Sequence, residues 1–254
     1  MLWKQLGQRF KQAMLRARGL LVTGTDTGVG KTWVAAGLAA WCCSKGIDAG
    51  VMKPFATGAG RAGRKLVSED ALFLKQISGA QDGLELINPV CFKEPLAPWV
   101  AAKRARQPIS MARVFKACRL LASRHDFMII EGVGGLLVPL TERETVREFA
   151  KQLGLPVVIV ARPGLGTINH TLLTIAAARQ AGLAVAGVII NHAAPLPKDP
   201  EALLSICTNP AAIAKQGKVP IAGILPYQSK RTTRALEYWI DQYMNKQWLH
   251  RWLL

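Results

Sequence analysis

The chain has 254 residues, half of them hydrophobic, which is enough for one sizeable core and excludes global disorder. Basic residues number 33 against 16 acidic ones, a formal net charge of +17, but they are scattered and no nucleic-acid motif accompanies them; a solvated basic surface is expected, and no nucleic-acid partner. Five cysteines without C-x-x-C spacing read as reduced, buried thiols of a cytoplasmic protein, and no apolar run reaches the ~18 residues a membrane span needs.

Residues 1–18 (MLWKQLGQRFKQAMLRAR) form a basic amphipathic N-terminal extension, apolar at helical spacing and free of acids. It reads as a harmless extension, with a transit peptide, a membrane-surface helix or a helix docked on the core left open. A single domain is expected over 19–254. Strand 19–23 (GLLVT) runs into GTDTGVGKT (24–32), and a helix follows over 33–44. A second strand, 48–52, ends at Lys53-Pro54; a Gly-rich basic loop (57–65) then leads to a helix from about Ser68. Further apolar, β-branched runs at 126–130, 156–161, 184–190 and 220–225 read as strands. Helical patterns fall at 95–104, 110–123, 145–153, 169–181 and 200–215, with a C-terminal helix over 236–254. Continuous apolar strands alternating with amphipathic helices predict an α/β fold, a mostly parallel sheet with helices on both faces. In such sheets ligands bind beyond the carboxyl ends of the strands, where Thr23, Lys53, Glu131, Arg162 and Asn191 would gather.

The strand–loop–helix at 19–44 has the phosphate-loop form, spelled Gly24, five residues, then Gly30-Lys31-Thr32. Backbone N–H groups of such a loop wrap a phosphate chain, Lys31 reaches the β/γ-phosphates and the Thr32 hydroxyl takes Mg²⁺. Glu131, at the end of DFMII and before GVGG, is a second candidate for Mg²⁺. Asp70 reads by itself as an ordinary first-turn acid. Lys53 is either a solvated lysine or a group that neutralises charge on a transferring phosphoryl group.

Several segments in register resemble the dethiobiotin synthetase family over about residues 19–228: GTDTGVGKT, Met52 to Gly58, Ser68-Glu69-Asp70-Ala71, Asn88-Pro89, Glu94 to Pro98, EGVGGLLVPL, Leu165 to His170 and Gly187 to Asn191. The resemblance implies a P-loop NTPase-type fold and a cyclo-ligase of biotin biosynthesis. Its substrates would be ATP, CO₂ or bicarbonate and 7,8-diaminononanoate, with Mg²⁺ as cofactor and a carbamate and a carbamic–phosphoric anhydride as intermediates. It implies ATP binding by Gly28, Val29, Gly30, Lys31, Thr32 and Trp33, by Asp70, and by Glu131, Gly132, Val133 and Gly134. Asn191 would read adenine, helped by Pro226, Tyr227 and Gln228. Thr32, Asp70 and Glu131 would surround the metal, which raises Asp70 above a first-turn acid. Lys53 and Lys31 would be catalytic, with Lys53 and Thr57 beside carbamate or diamine. The turn at Gly166, Thr167, Ile168 and Asn169 would hold the substrate carboxylate from the partner subunit of a homodimer.

The chain departs from the pattern at Trp99, where relatives usually have histidine, at His192, where aspartate is common, and across 195–210, where Leu203 lies near the place of a tyrosine. His170 and His192 read as packing or hydrogen-bonding locally. The alternative reading is a partition- or septum-type P-loop ATPase switch on DNA or membrane. Its signature lysine would fall at position 26, which here is Asp26.

Overall fold

The computed structural model describes residues 18–63 and 65–254; the basic extension lies outside it, apart from Arg18. The first strand, β1 (Arg18–Gly24), leads through the phosphate loop into α1 (Lys31–Ser44), and β2 (Ala49–Met52) follows. A crossover then contains β3 (Phe55–Ala56), the hairpin of β4 (Gly60–Ala62) and β5 (Lys65–Val67), α2 (Glu69–Ser78), α3 (Leu84–Ile87), β6 (Val90–Cys91), α4 (Pro98–Ala105) and α5 (Met111–Ala122). The rest alternates regularly: β7 (Phe127–Gly135), α6 (Val146–Leu153), β8 (Val157–Ala161), α7 (Thr167–Gln180), β9 (Val185–Asn191), α8 (Pro200–Gly217) and β10 (Ile221–Leu225). Two helices, α9 (Thr233–Tyr243) and α10 (Lys246–Leu253), close the chain.

Six strands form one sheet in the order β10-β9-β8-β1-β7-β2, every pair parallel. Strand side chains alternate between faces. Leu20 and Val22 therefore join a core under α1, α2, α9 and α10, while Leu21 joins one under α4, α5 and α6. Ile159, Val188 and Ile190 continue this second core under α7 and α8. Helix α1 is apolar almost all round because it is covered twice, by the sheet and by α9. Gly37 makes that approach possible, since a Cβ there would meet Ile240 at 2.8 Å. The chain leaves β1 for the sheet edge at β2, then returns to place β7 and β8 on either side of β1. That reversal opens a crevice at the carboxyl end of β1.

Several expectations need correction. The strand expected over 126–130 runs further: β7 continues through Glu131 to Gly135, so Glu131 is an interior strand residue and not the residue at its end. The 57–65 loop contains a hairpin, and the 95–104 helix begins only at Pro98. The C-terminal helix breaks at Met244, which is extended (φ −93°, ψ 150°), and Asn245 caps a new helix by accepting from Trp248 N–H at 3.0 Å. Cys42 and Cys118 are buried thiols, but Cys43 and Cys207 are exposed, as adjacency on a helix turns Cys43 away from Cys42. Among the described residues no helix is long and apolar enough to cross a membrane.

Candidate active site

The phosphate loop is shaped by hydrogen bonds at its base and flanks. Thr25 N–H bonds the Val160 carbonyl at 3.0 Å, anchoring the loop to β8. At the other end Gly30 adopts φ 89°, open to glycine at little cost. A side chain there would also strike Asn191, whose Nδ2 lies 2.1 Å from the ideal Cβ position. That amide donates to the Val29 carbonyl at 2.8 Å, while its buried Oδ1 has no hydrogen-bond partner. Lys31 curls back, its Nζ donating to the Asp26 carbonyl at 2.9 Å.

Opposite the loop, three elements bring together a compact charge cluster. Lys53 leaves β2 with its backbone clamped: its N–H bonds the Ile87 carbonyl at 2.8 Å, and its own carbonyl accepts from Asn88 Nδ2 at 2.7 Å. The Lys53 ammonium contacts Glu131 Oε1 on β7 and sits 3.0 Å from Asp70 Oδ2 on α2. Ser68 caps α2 and so sets the direction of that turn. Thr32 Oγ1 donates to Glu131 Oε1 at 2.8 Å, joining loop and cluster.

Burial drives the Lys31 ammonium down to a pKa of about 8, with the Glu131 charge opposing only in part. Burial acts on Lys53 in the same sense, but Glu131 and then Asp70 outweigh it and hold that ammonium above its usual range. Glu131 is raised by burial, against the pull of Lys53. Asp70 is also disfavoured by burial, yet Lys53 and Thr32 hold it below the ordinary carboxylate range. The residues present fit Mg²⁺: Thr32, Asp70 and Glu131 offer only oxygen donors, and Glu131 Oε2 is buried without a hydrogen-bond partner. Among the described residues no three His, Cys, Asp or Glu side chains form a metal cage. That suits a cation held by one or two carboxylates together with substrate phosphates.

Loop and cluster open on one cleft of ≈ 760 Å³, within the roughly 300–1,000 Å³ typical of small-molecule sites. Gly28, Gly30, Lys31 and Thr32 of the loop line it, together with Lys53, Thr57, Asp70, Glu131, Val133 and Gly134. Trp33, Asn191, Tyr227 and Gln228 line it as well. Three of the candidates are behind the wall: Val29 and Gly132 as buried backbone, and Pro226, whose carbonyl accepts from Trp239 Nε1 at 2.9 Å. Gly166 to Asn169 do not line the cleft; they form the N-cap and first turn of α7, where Thr167 is fully buried.

Arg231, His192 and the Asp26–His170 pair have places in the structure that their residue types do not reveal. Arg231 reads as one more surface charge, but its guanidinium lies 5.8 Å from the Trp33 ring centroid and 5.1 Å from that of Phe73, on the cleft wall. His192 lines the same wall and is kept below its ordinary pKa by burial. His170 Nδ1 donates to Asp26 Oδ2 at 2.7 Å, across 144 positions of sequence, so its bond is not local.

A parallel sheet reversing at β1, with a phosphate loop at that strand's carboxyl end and a lysine–carboxylate cluster facing it, defines a P-loop NTPase-type enzyme. The model of a family described as an AAA domain matches residues 18–235. An ATP-dependent dethiobiotin synthetase BioD of Anaeromyxobacter dehalogenans (strain 2CP-C) is 46% identical over 220 residues, covering 86% of this chain and 94% of that one. That of Bacillus velezensis (strain FZB42) is 42% identical over 228 residues, covering 90% and 94%. The chain belongs to the ATP-dependent dethiobiotin synthetase family. The structure of a ParA family ATPase from Chlorobium tepidum TLS superposes with a TM-score of 0.51 at 12% identity, covering 89% of this chain and 99% of that one, a likeness of fold alone.

Proposed function

We propose that this chain is a cytoplasmic ligase that closes the ureido ring of dethiobiotin from 7,8-diaminononanoate, CO₂ and ATP. The observation that carries this reading is the Lys53–Glu131–Asp70 cluster facing the phosphate loop across one cleft. One amine attacks CO₂, forming an N–C bond and losing a proton to give the carbamate. A carbamate oxygen then attacks the γ-phosphorus, the bond to the β-phosphate oxygen breaks, and ADP leaves. The second amine attacks the activated carbonyl carbon, forming an N–C bond and losing a proton, and the C–O bond breaks to release phosphate.

Two anions must meet in the second step, which a group of fixed positive charge makes possible. Lys53 is charged, clamped at its backbone and buried, and so serves that role with little reorganisation. Lys31 is freed from the Asp26 carbonyl to follow the β/γ-phosphates. Thr32, Asp70 and Glu131 would hold Mg²⁺, which neutralises charge on the β- and γ-phosphate oxygens. Thr57, on the same cleft lining as Lys53, would face the carbamate or diamine. Asn191, with one N–H of its amide on the Val29 carbonyl, has a buried oxygen still without a partner, which suits a base with an exocyclic amine, such as adenine.

The substrate carboxylate would be met by backbone N–H groups at the start of α7 from the partner of a homodimer. Support comes from apolar side chains left on the surface there: Leu165 before α7, Leu173 on it and Leu204 on α8 are 80%, 60% and 66% exposed. The test is incubation of the purified chain with diaminononanoate, bicarbonate, Mg²⁺ and ATP. Dethiobiotin is expected by mass, with one phosphate per product. ATP hydrolysis stimulated by DNA or anionic lipid, without that product, would overturn the reading.

A further inference from the structure

The phosphate loop is gripped from two sides. On one, Asn191 at the end of β9 holds the Val29 carbonyl; on the other, His170 in the first turn of α7 holds the Asp26 carboxylate at 2.7 Å. Asp26 is thereby fastened twice, since its carbonyl also accepts from the Lys31 ammonium at 2.9 Å. These two fastenings differ in kind. The bond to Lys31 must break when that ammonium turns to an incoming phosphate, whereas the bond to His170 involves nothing that phosphate would take. Part-exposed ion pairs in general contribute little to stability, and both side chains here are about 40% exposed, at 38% and 42%. What singles this pair out is its place on the loop that aims Lys31.

We infer that His170 is a positioning residue for nucleotide binding. Acting through Asp26, it keeps the crest of the phosphate loop in its binding shape while Lys31 changes partner. Without it, the 26–28 segment follows the released ammonium, and the loop must be ordered again by each arriving nucleotide. That ordering appears as lost affinity, because a preorganised site spends less binding free energy on its own arrangement. The inference rests on the nucleotide role of the loop and needs no assumption about the diamine.

The test is direct titration of the full chain with ATP and Mg²⁺, wild type beside H170A, H170N, D26A and the double variant. Wild-type binding checks the nucleotide role itself; the variants check the pair. H170A is expected to weaken ATP roughly ten-fold, the usual scale for a hydrogen bond to a charged group. Its unfolding midpoint stays unchanged, since alanine suits a part-exposed helical position. H170N places an amide N–H at the site of imidazole Nδ1 and restores most of the affinity. The double variant is no worse than D26A alone, because the effect runs through Asp26. In turnover, KM for ATP rises while KM for the diamine is unchanged. Unaltered ATP affinity in H170A, an effect that adds fully to that of D26A, or a folded H170N that rescues nothing would each overturn the inference.

Discussion

Lys31 and Lys53 face each other across one cleft, both buried, and they are held in opposite ways. Lys31 rests on a single neutral carbonyl, and burial lowers its pKa to about 8; Lys53 touches two carboxylates and is kept charged against the same burial. The first is an ammonium in want of anions, poised for phosphates that arrive and leave. The second is already matched, a fixed charge around which a reaction can be arranged. Burial alone therefore says little about a lysine; its partners decide whether it waits or anchors.

The comparison breaks most readily at Lys53. Lys53→Met leaves Glu131 as an uncompensated buried carboxylate, which should cost about 3–5 kcal/mol in denaturant unfolding, as for other broken buried pairs. Turnover should fall with it. Lys31→Met should also lose turnover, but with an unfolding midpoint equal to or above wild type, because a buried ammonium disfavoured by burial is removed. If both variants lost the same stability, the contrast between the two lysines would be wrong.

The pH dependence sharpens the same point. Between about 8 and the ordinary 10.5, native Lys31 binds fewer protons than the unfolded chain, so its contribution makes stability rise with pH over that window. Lys53 has the opposite sign: its contribution is full below the ordinary lysine value and is lost as pH rises through the higher native one. ATP affinity, which needs Lys31 charged, should weaken as pH rises past about 8. Denaturant titrations at pH 7.5 and 9.5 on wild type and Lys31→Met isolate the first slope, which the variant lacks.

The smallest expected effect lies outside the cleft lining. Thr145 and Glu148 form a capping box at α6, and despite partial burial the Thr145 hydrogen bonds bring Glu148 down to a pKa of about 2. Glu148→Ala should cost about 1 kcal/mol with turnover unchanged. In wild type that contribution is present above the ordinary value of 4.5 and is lost as pH falls toward 2.

The same two regions differ in how far they can be read from sequence. The phosphate loop lies within one strand–turn–helix stretch, so its glycines, Lys31 and Thr32 announce themselves by spacing. The lysine–carboxylate cluster is assembled by sheet order: β2 pairs with β7, which brings Lys53 to Glu131 across 78 positions. No local pattern encodes that distance, and residue types alone leave Asp70 an ordinary first-turn acid. Strands β3 and β6, two residues each, are too short to show a period. The break at Met244 escapes notice because aromatic residues recur on both sides of it, while the cap at Asn245 is a single polar residue. Arg231 is hidden by its neighbours, one cation in a Lys230-Arg231 run whose stacking depends on Trp33 and Phe73 from other helices.

The position of β1 also has a consequence for how the molecule is made. It is the first strand of the described chain, yet its hydrogen-bonded neighbours are β7 and β8, whose residues span 127 to 161. A nascent chain that stops short of β7 has the phosphate-loop sequence but no sheet to hold it, and Thr25 lacks its Val160 anchor until β8 has emerged. Closing contacts so distant in sequence is slow, and it leaves apolar strands unpaired meanwhile. Nucleotide therefore cannot assist the early stages of folding on the ribosome; it can only stabilise a sheet that is already more than half synthesised.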